Sequence, residues 1–188
     1  MIVIGDVHGN LDKLLELIDK LPQKENICFV GDLIDRGPNS RQVLDFIIEN
    51  NYKSVLGNHE DMMLNHWNWW MLNGAKNTLK SFNSTIYTFK KDCKKYIEWV
   101  QGLPIFINYK NFLISHSFAY NGENTYESDV LWARNFGINN CEKTNIFGHT
   151  PMKKATKFFG KHWCIDTGCY YTGKLTAIDL DNKKLYTT

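Results

Sequence analysis

Residues 1–9 read MIVIGDVHG, residues 27–37 read ICFVGDLIDRG and residues 54–60 read SVLGNHE. Each is a short apolar run that ends in glycine and then in carboxylate, imidazole or amide side chains. Unalternating apolar runs of this length fit strands buried on both faces, as in a parallel sheet covered by helices. Ile2 to Ile4, Ile27 to Val30 and Ser54 to Leu56 are therefore expected as strands. Between the first two, Leu11, Leu14, Leu15, Ile18 and Leu21 recur at helical spacing until Pro22. Before the third, Val43, Leu44, Ile47 and Ile48 form the apolar face of a second helix capped by Asn39 or Ser40. The order is βαβαβ, so all three polar clusters fall at the carboxyl edge of one sheet, where ligands bind in open α/β folds.

Downstream the pattern changes twice. From Asp61 to Leu103 the chain reads as helix and loop, rich in aromatic residues and lysine, with Thr85 to Phe89 the one strand-like stretch. This segment is expected to be a helical lid inserted over about residues 61–103. After Pro104 the chain becomes strand-like again. Ile105 to Asn108 and Phe112 to Ser115 read as a hairpin around Tyr109 to Asn111, followed by runs at Ile146, Trp163 to Ile165, Leu175 to Leu180 and Leu185 to Tyr186. No repeat or flexible linker interrupts these patterns, so residues 1–188 are expected to form one domain. With 43% hydrophobic and 14% aromatic residues, a chain of this length can bury a full core.

Composition narrows the functional classes. The formal net charge is only +2 and the charges are interspersed, which argues against a dedicated nucleic-acid or membrane binder and makes any phosphate recognition local. The cysteines Cys28, Cys93, Cys141, Cys164 and Cys169 are odd in number and include no C-x-x-C pair, a pattern suited to a reducing compartment. The apolar start ends at Asp6 and no window has the length of a membrane span, so the expected location is the cytoplasm.

The chemistry lies in the loops. A lone aspartate after a strand is usually a turn former, but three coordinated clusters are harder to explain that way. Asp6 and His8 are two residues apart, which in extended geometry places them on one side. Two histidines extend the set: His116 follows the strand at Phe112 to Ile114, and His149 stands in Gly148-His149-Thr150 after Asn145 to Phe147. Oxygen and imidazole donors without thiolate suit manganese, iron or zinc better than calcium.

The blocks GDVHG, GDLIDRG, GNHE, a histidine after a strand, and GHT, in this order, resemble the calcineurin-like metallophosphoesterase superfamily from Gly5 to about Leu180. The Asp35-Arg36 pair and Pro151 look like its phosphoprotein-phosphatase branch. That resemblance implies an α/β fold, a β-sandwich flanked by helices. It also implies two divalent metal ions, manganese being expected, with Asp6, His8 and Asp32 on the first and Asp32, Asn58, His116 and His149 on the second. A hydroxide held between the ions would attack the phosphorus. His59 would be the general acid and Asp35 would orient it, while Arg36, Asn58 and, through a second family arginine, Arg134 would contact the substrate phosphate. The expected substrates are phosphorylated proteins, peptides or small phosphoesters, phosphoserine and phosphothreonine above all.

Some positions depart from that branch. Protein phosphatases of this type usually carry arginine before GNHE, whereas Val55-Leu56 stands here. VLGNH, Ile165-Asp166-Thr167-Gly168-Cys169 and Gly173-Lys174-Leu175-Thr176 also resemble the symmetrical diadenosine tetraphosphate hydrolases, so a dinucleoside polyphosphate is the second expected substrate. Asp35 and Glu60 lean back toward bacterial and phage protein phosphatases. A non-catalytic scaffold is the third reading, and the intact donor set with His59 argues against it. Asp166 reads as structural. Trp67 and Trp70, at helical spacing with Met63 and Gly74, read as residues that pack the inserted segment onto the sheet. His66 and His162 are assigned no role.

Overall fold

The computed structural model describes residues 1–134 and 136–188. Its first half is the expected alternation: β1 (Ile2–Ile4), α1 (Leu11–Lys20), β2 (Ile27–Phe29), α2 (Ser40–Glu49) and β3 (Lys53–Ser54). A helical segment follows, made of α3 (Asn58–Asn65), α4 (Trp67–Leu72), α5 (Ala75–Ser81), α6 (Phe89–Asp92) and α7 (Lys94–Gln101). The second half contains β4 (Ile107–Tyr109), β5 (Phe112–Ile114), α8 (Glu127–Trp132), β6 (Thr144–Phe147), β7 (Thr156–Phe158), β8 (His162–Cys164), α9 (Cys169–Thr172), β9 (Thr176–Asp179) and β10 (Lys184–Thr187).

These strands form two five-stranded sheets, ordered β10-β9-β1-β2-β3 and β4-β5-β6-β8-β7. In the first, β1, β2 and β3 run parallel while β9 pairs antiparallel with β1. In the second, β5, β6 and β8 run parallel. Strand alternation then divides the core. Val3, Cys28, Val30 and Val55 point between the sheets and pack with Ile114, Ile146, Ile165 and Ile178. Their neighbours Ile2, Ile4, Ile27 and Phe29 face the other way, onto Leu14, Leu17 and Ile18 of α1 and Val43, Leu44 and Ile47 of α2. Each such side chain, wholly withdrawn from water, contributes roughly 1.5–3 kcal/mol. The result is the expected sandwich flanked by helices.

The boundaries differ in places. Thr85 to Phe89 is not a strand: Ser84 and Thr88 hydroxyls lie 3.0 Å apart, the Thr85 N–H donates to Thr88 Oγ1 at 3.2 Å, and the Phe89 N–H donates to the Thr85 carbonyl at 3.0 Å. Local hydroxyl contacts close a turn there, and Phe89 enters an aromatic cluster with Trp70 and Phe82. The strand Thr156–Phe158 lies outside the expected set, because three residues with a central lysine at a sheet edge carry no apolar period. The third strand ends at Ser54: the Val55 N–H still donates to the Phe29 carbonyl, but the Leu56 N–H donates to the Pro104 carbonyl instead. Among the described residues no helix is long and apolar enough to cross a membrane.

Candidate metal centre and active site

The carboxyl ends of both sheets meet. β1 leads into Asp6 and His8, β2 into Asp32, Asp35 and Arg36, and β3 into Asn58 and His59; from the other sheet β5 leads into His116, β6 into His149 and β8 into Asp166. Except for Arg36, which is half-buried, all of these side chains are buried.

Asp32 is the hub. Its Oδ2 lies 3.4 Å from His8 Nε2 and 3.9 Å from His59 Nε2, and its Oδ1 lies 3.4 Å from His116 Nε2. His116 Nε2 is also 2.8 Å from Asn58 Oδ1 and 3.1 Å from His149 Nδ1, and those last two atoms are 3.0 Å apart. The outer ring nitrogens face carbonyls: His8 Nδ1 is 3.0 Å from Ile34 O, His116 Nδ1 2.8 Å from Val30 O, and His149 Nε2 3.2 Å from Trp132 O. A carbonyl can only accept, so in the tautomer that serves these contacts the ring protons sit on the outer nitrogens and the lone pairs aim inward. In that tautomer acceptors outnumber donors around Asp32, whose Oδ1 accepts the His59 backbone N–H at 3.0 Å. A buried arrangement of this kind fits a cation, and two groupings could each hold one: His8, Asp32 and His59, and Asp32, His116 and His149, with Asn58 Oδ1 beside the latter.

The electrostatics agree. Burial pushes His8 and His149 down to about 3 and lowers His116 as well, so these rings are neutral near pH 7, the form that ligates metal. Burial would raise the Asp32 carboxyl, but the surrounding imidazoles, His116 foremost, outweigh it and hold it below the usual range. Asp6 is raised well above its ordinary value by burial and by the neighbouring Asp166 and Asp32, and burial pushes Asp166 up to about 7. Asp6 lies outside both groupings, its carboxylate accepting the His149 N–H at 3.0 Å. A side chain on Gly148 would collide with Asp6 Oδ1, which is why glycine precedes His149.

Beside the hub lies a second polar cluster. His59 Nδ1 is 2.7 Å from Asp35 Oδ2, and His59 Nε2 is 3.2 Å from an Arg36 guanidinium nitrogen. Burial acts to lower His59, but Asp32 and Asp35 outweigh it and the ring is raised. Asp35 is itself raised by burial. The Arg36 guanidinium lies 4.4 Å over the Tyr170 ring. Arg134 is exposed, with Nε 3.4 Å from His149 Nε2.

The loops hold unusual backbone. His8, Asp32, Asp35, Arg36 and His149 all have positive φ, from 47° to 70°, a conformation that costs non-glycine residues of order 1–3 kcal/mol each and concentrates at functional sites. Glu60 sustains part of it. Its carboxylate accepts the N–H groups of Asp32 at 2.8 Å, Leu33 at 2.9 Å and Ile34 at 3.2 Å, and that of Gly57 at 3.2 Å. Asn58, His59 and Glu60 are successive residues in the first turn of α3, about 100° apart around its axis. One turn thus serves the ion groupings, the Asp35 pair and the loop backbone in three directions.

The structure gathers every residue expected at the site into this one region. It adds Glu60 as a loop anchor, Tyr170 against Arg36, and Trp70 and Thr78 against Asp35. A buried Trp needs a partner for its N–H, the one sequence-level hint that Trp70 does more than pack.

Comparison with known proteins gives the same picture. The calcineurin-like phosphoesterase family profile matches residues 1–183. The chain is 30% identical to serine/threonine-protein phosphatase 1 of Salmonella typhimurium, over 93% of this chain and 88% of that protein. It is 26% identical to an asymmetrical bis(5'-nucleosyl)-tetraphosphatase of Oceanobacillus iheyensis, over 97% and 89%. A yeast protein serine/threonine phosphatase shares the fold with a TM-score of 0.68 at 18% identity, over 100% of this chain and 78% of that one. Two sheets that deliver carboxylate, amide and imidazole to one edge, and a family match along nearly the whole length, make this chain a member of the calcineurin-like phosphoesterases, a hydrolase of the metallophosphoesterase class.

Proposed function

We propose that the chain hydrolyses phosphate monoesters, phosphoserine and phosphothreonine first among them, with two divalent cations, manganese by preference, sharing Asp32. The observation that carries this reading is the acceptor-rich cluster around Asp32, set against the hydrogen-bonded His59–Asp35 pair. Because both His59 ring nitrogens are engaged, by Asp35 and by Arg36, Asp6 would take the place of His59 beside His8 as a ligand of the first cation, and Asn58, His116 and His149 would complete the second's. Such a pair of cations supplies a hydroxide nucleophile at neutral pH and neutralises charge on the phosphoryl oxygens.

The remaining work belongs to side chains. Asp32 and Asp35 together raise the ring and Asp35 holds its Nδ1 proton, so His59 Nε2 would deliver a proton to the leaving oxygen once the Arg36 guanidinium turns to the phosphate. Arg36, kept in place by its stacking on Tyr170, presents a planar fork to phosphate oxygens. Asn58 and Arg134, both next to His149, would add further contacts.

The Salmonella relative supports the phosphoprotein reading. The tetraphosphatase relatives, with Val55-Leu56 before Gly57, favour a second one, hydrolysis of a dinucleoside tetraphosphate. Specificity constants of the manganese-loaded chain for a phosphothreonine peptide and for diadenosine tetraphosphate decide between them. Preference for the peptide is expected, and a large preference for the dinucleotide overturns the first reading.

A further inference from the structure

Beyond α3, which carries Asn58 and His59, two further helices of the helical segment pack directly against Asp35. Trp70 of α4 and Thr78 of α5 are both fully buried, far in sequence from Asp35 and directly against it. The Trp70 indole Nε1–H points between the two carboxylate oxygens, 3.0 Å from Oδ1 and 2.9 Å from Oδ2. The Thr78 hydroxyl donates to Oδ1 at 2.6 Å. That same hydroxyl and Ser40 Oγ, 3.0 Å apart, each accept the Asp35 backbone N–H at 3.0 Å. The fourth contact on the carboxylate is His59 Nδ1, on Oδ2 at 2.7 Å.

Every lone-pair direction of Asp35 that does not face His59 is thus used by a donor from the helical segment. Two consequences follow from this arrangement. The carboxylate cannot rotate away from the imidazole without abandoning several buried hydrogen bonds, each costly to leave unmade. Asp35 also sits at φ +70°, a strained position that persists only where its surroundings over-determine it. The donors come from α4 and α5 together, and the Trp70 ring is itself clamped by Trp67 and Phe89 at centroid distances of 4.9 Å and 5.1 Å.

We infer that Trp70 and Thr78 are positioning residues for proton delivery: they fix the Asp35 carboxylate, which fixes the His59 ring toward the leaving group. The helical segment is on this view a brace behind the acid, and its aromatic packing serves catalysis at one remove. The inference rests on the reading of His59 as the general acid.

The test separates the two. Wild type, W70F, T78V and H59N, all metal-loaded, are compared on a 4-nitrophenyl phosphate and on an alkyl phosphate. The alkoxide leaving group needs a proton and nitrophenolate hardly does. H59N should depress the alkyl ester far more than the aryl ester. W70F, which keeps the ring and removes the N–H, and T78V, which keeps the shape and removes the hydroxyl, should each show the same bias, with kcat on the alkyl ester down roughly tenfold. KM and metal content should hold. In the metal-free protein the Trp70 indole proton should exchange slowly, and D35N should release it. Equal losses on both esters in W70F and T78V, or no loss, overturn the brace. Absence of bias in H59N itself overturns instead the assignment of His59, whatever the other variants do. T78V carries the decision if W70F does not fold.

Discussion

Two polar clusters lie side by side in this protein and are built on opposite principles. Around Asp35 each acceptor meets a donor: an indole N–H, a hydroxyl and an imidazole N–H close on one carboxylate. Around Asp32 a single backbone N–H, that of His59, meets a surplus of acceptors, with imidazole lone pairs, an amide oxygen and a carboxylate turned toward one another. The first cluster is complete as folded and gives rigidity. The second costs free energy as it stands, since buried acceptors in excess of their donors are penalised, and a divalent cation reverses that sign. The difference shows which side chains position and which await an ion.

The sharpest way to break the comparison is to remove its hub. D32N deletes the carboxylate common to both ion groupings. It should lower turnover of an aryl phosphate by roughly 10³-fold or more, the several kcal/mol that a metal contributes to a phosphoryl transition state. Elemental analysis of the purified variant should show ions lost. The matching change in the other cluster, H59N, should leave metal content unchanged while turnover falls roughly 10²-fold, the usual contribution of a general acid. If H59N also lost its ions, the division between the clusters would be wrong.

Stability sharpens the same contrast. Adding manganese should raise the unfolding temperature of the wild type, with a gain of about 2.7 kcal/mol once the free ion reaches a hundred times its dissociation constant. H116Q should lose much of that gain, because it removes an inward lone pair, whereas T78V should keep it. Thermal scans with and without metal decide this.

A separate effect lies outside both clusters. His162 accepts the Asn145 N–H at 3.0 Å through Nδ1, and its Nε2 has no partner among the described residues. Burial lowers the ring from 6.5 to about 4. The unfolded chain therefore takes up a proton between those values that the folded chain refuses, so stability falls as pH drops from about 6.5 toward 4. The slope is at most ~1.4 kcal/mol per pH unit. In urea titrations of the metal-loaded protein, the advantage of wild type over H162Q should shrink across that window. A constant difference would place the shift elsewhere.

Much of this was legible in the residues. Ile2 to Ile4 and Ile27 to Val30 carry the unalternating apolar signature of doubly buried strands, and the glycine-flanked polar residues after them mark a sheet edge. Convergence of His116 and His149 on that edge could be expected only through the order of the motifs, since no local spacing brings residues so distant together. Other features depend on tertiary geometry that sequence does not encode locally. The left-handed backbone at His8, Asp32, Asp35, Arg36 and His149 runs against the preference of each residue type and exists because partners such as Glu60 hold it. Trp70 satisfied the spacing of a packing residue, and its periodicity said nothing about where the indole N–H would point. Thr85 to Phe89 looked extended because threonine, isoleucine, tyrosine and phenylalanine favour strands, yet hydroxyl contacts and burial of Phe89 prevailed.

Anomalous diffraction from crystals grown with manganese tests the account most directly. Two peaks should appear beside Asp32, one against His8 and the other against Asn58, His116 and His149. A map with no peak there, or with one ion bound at the surface, would contradict it.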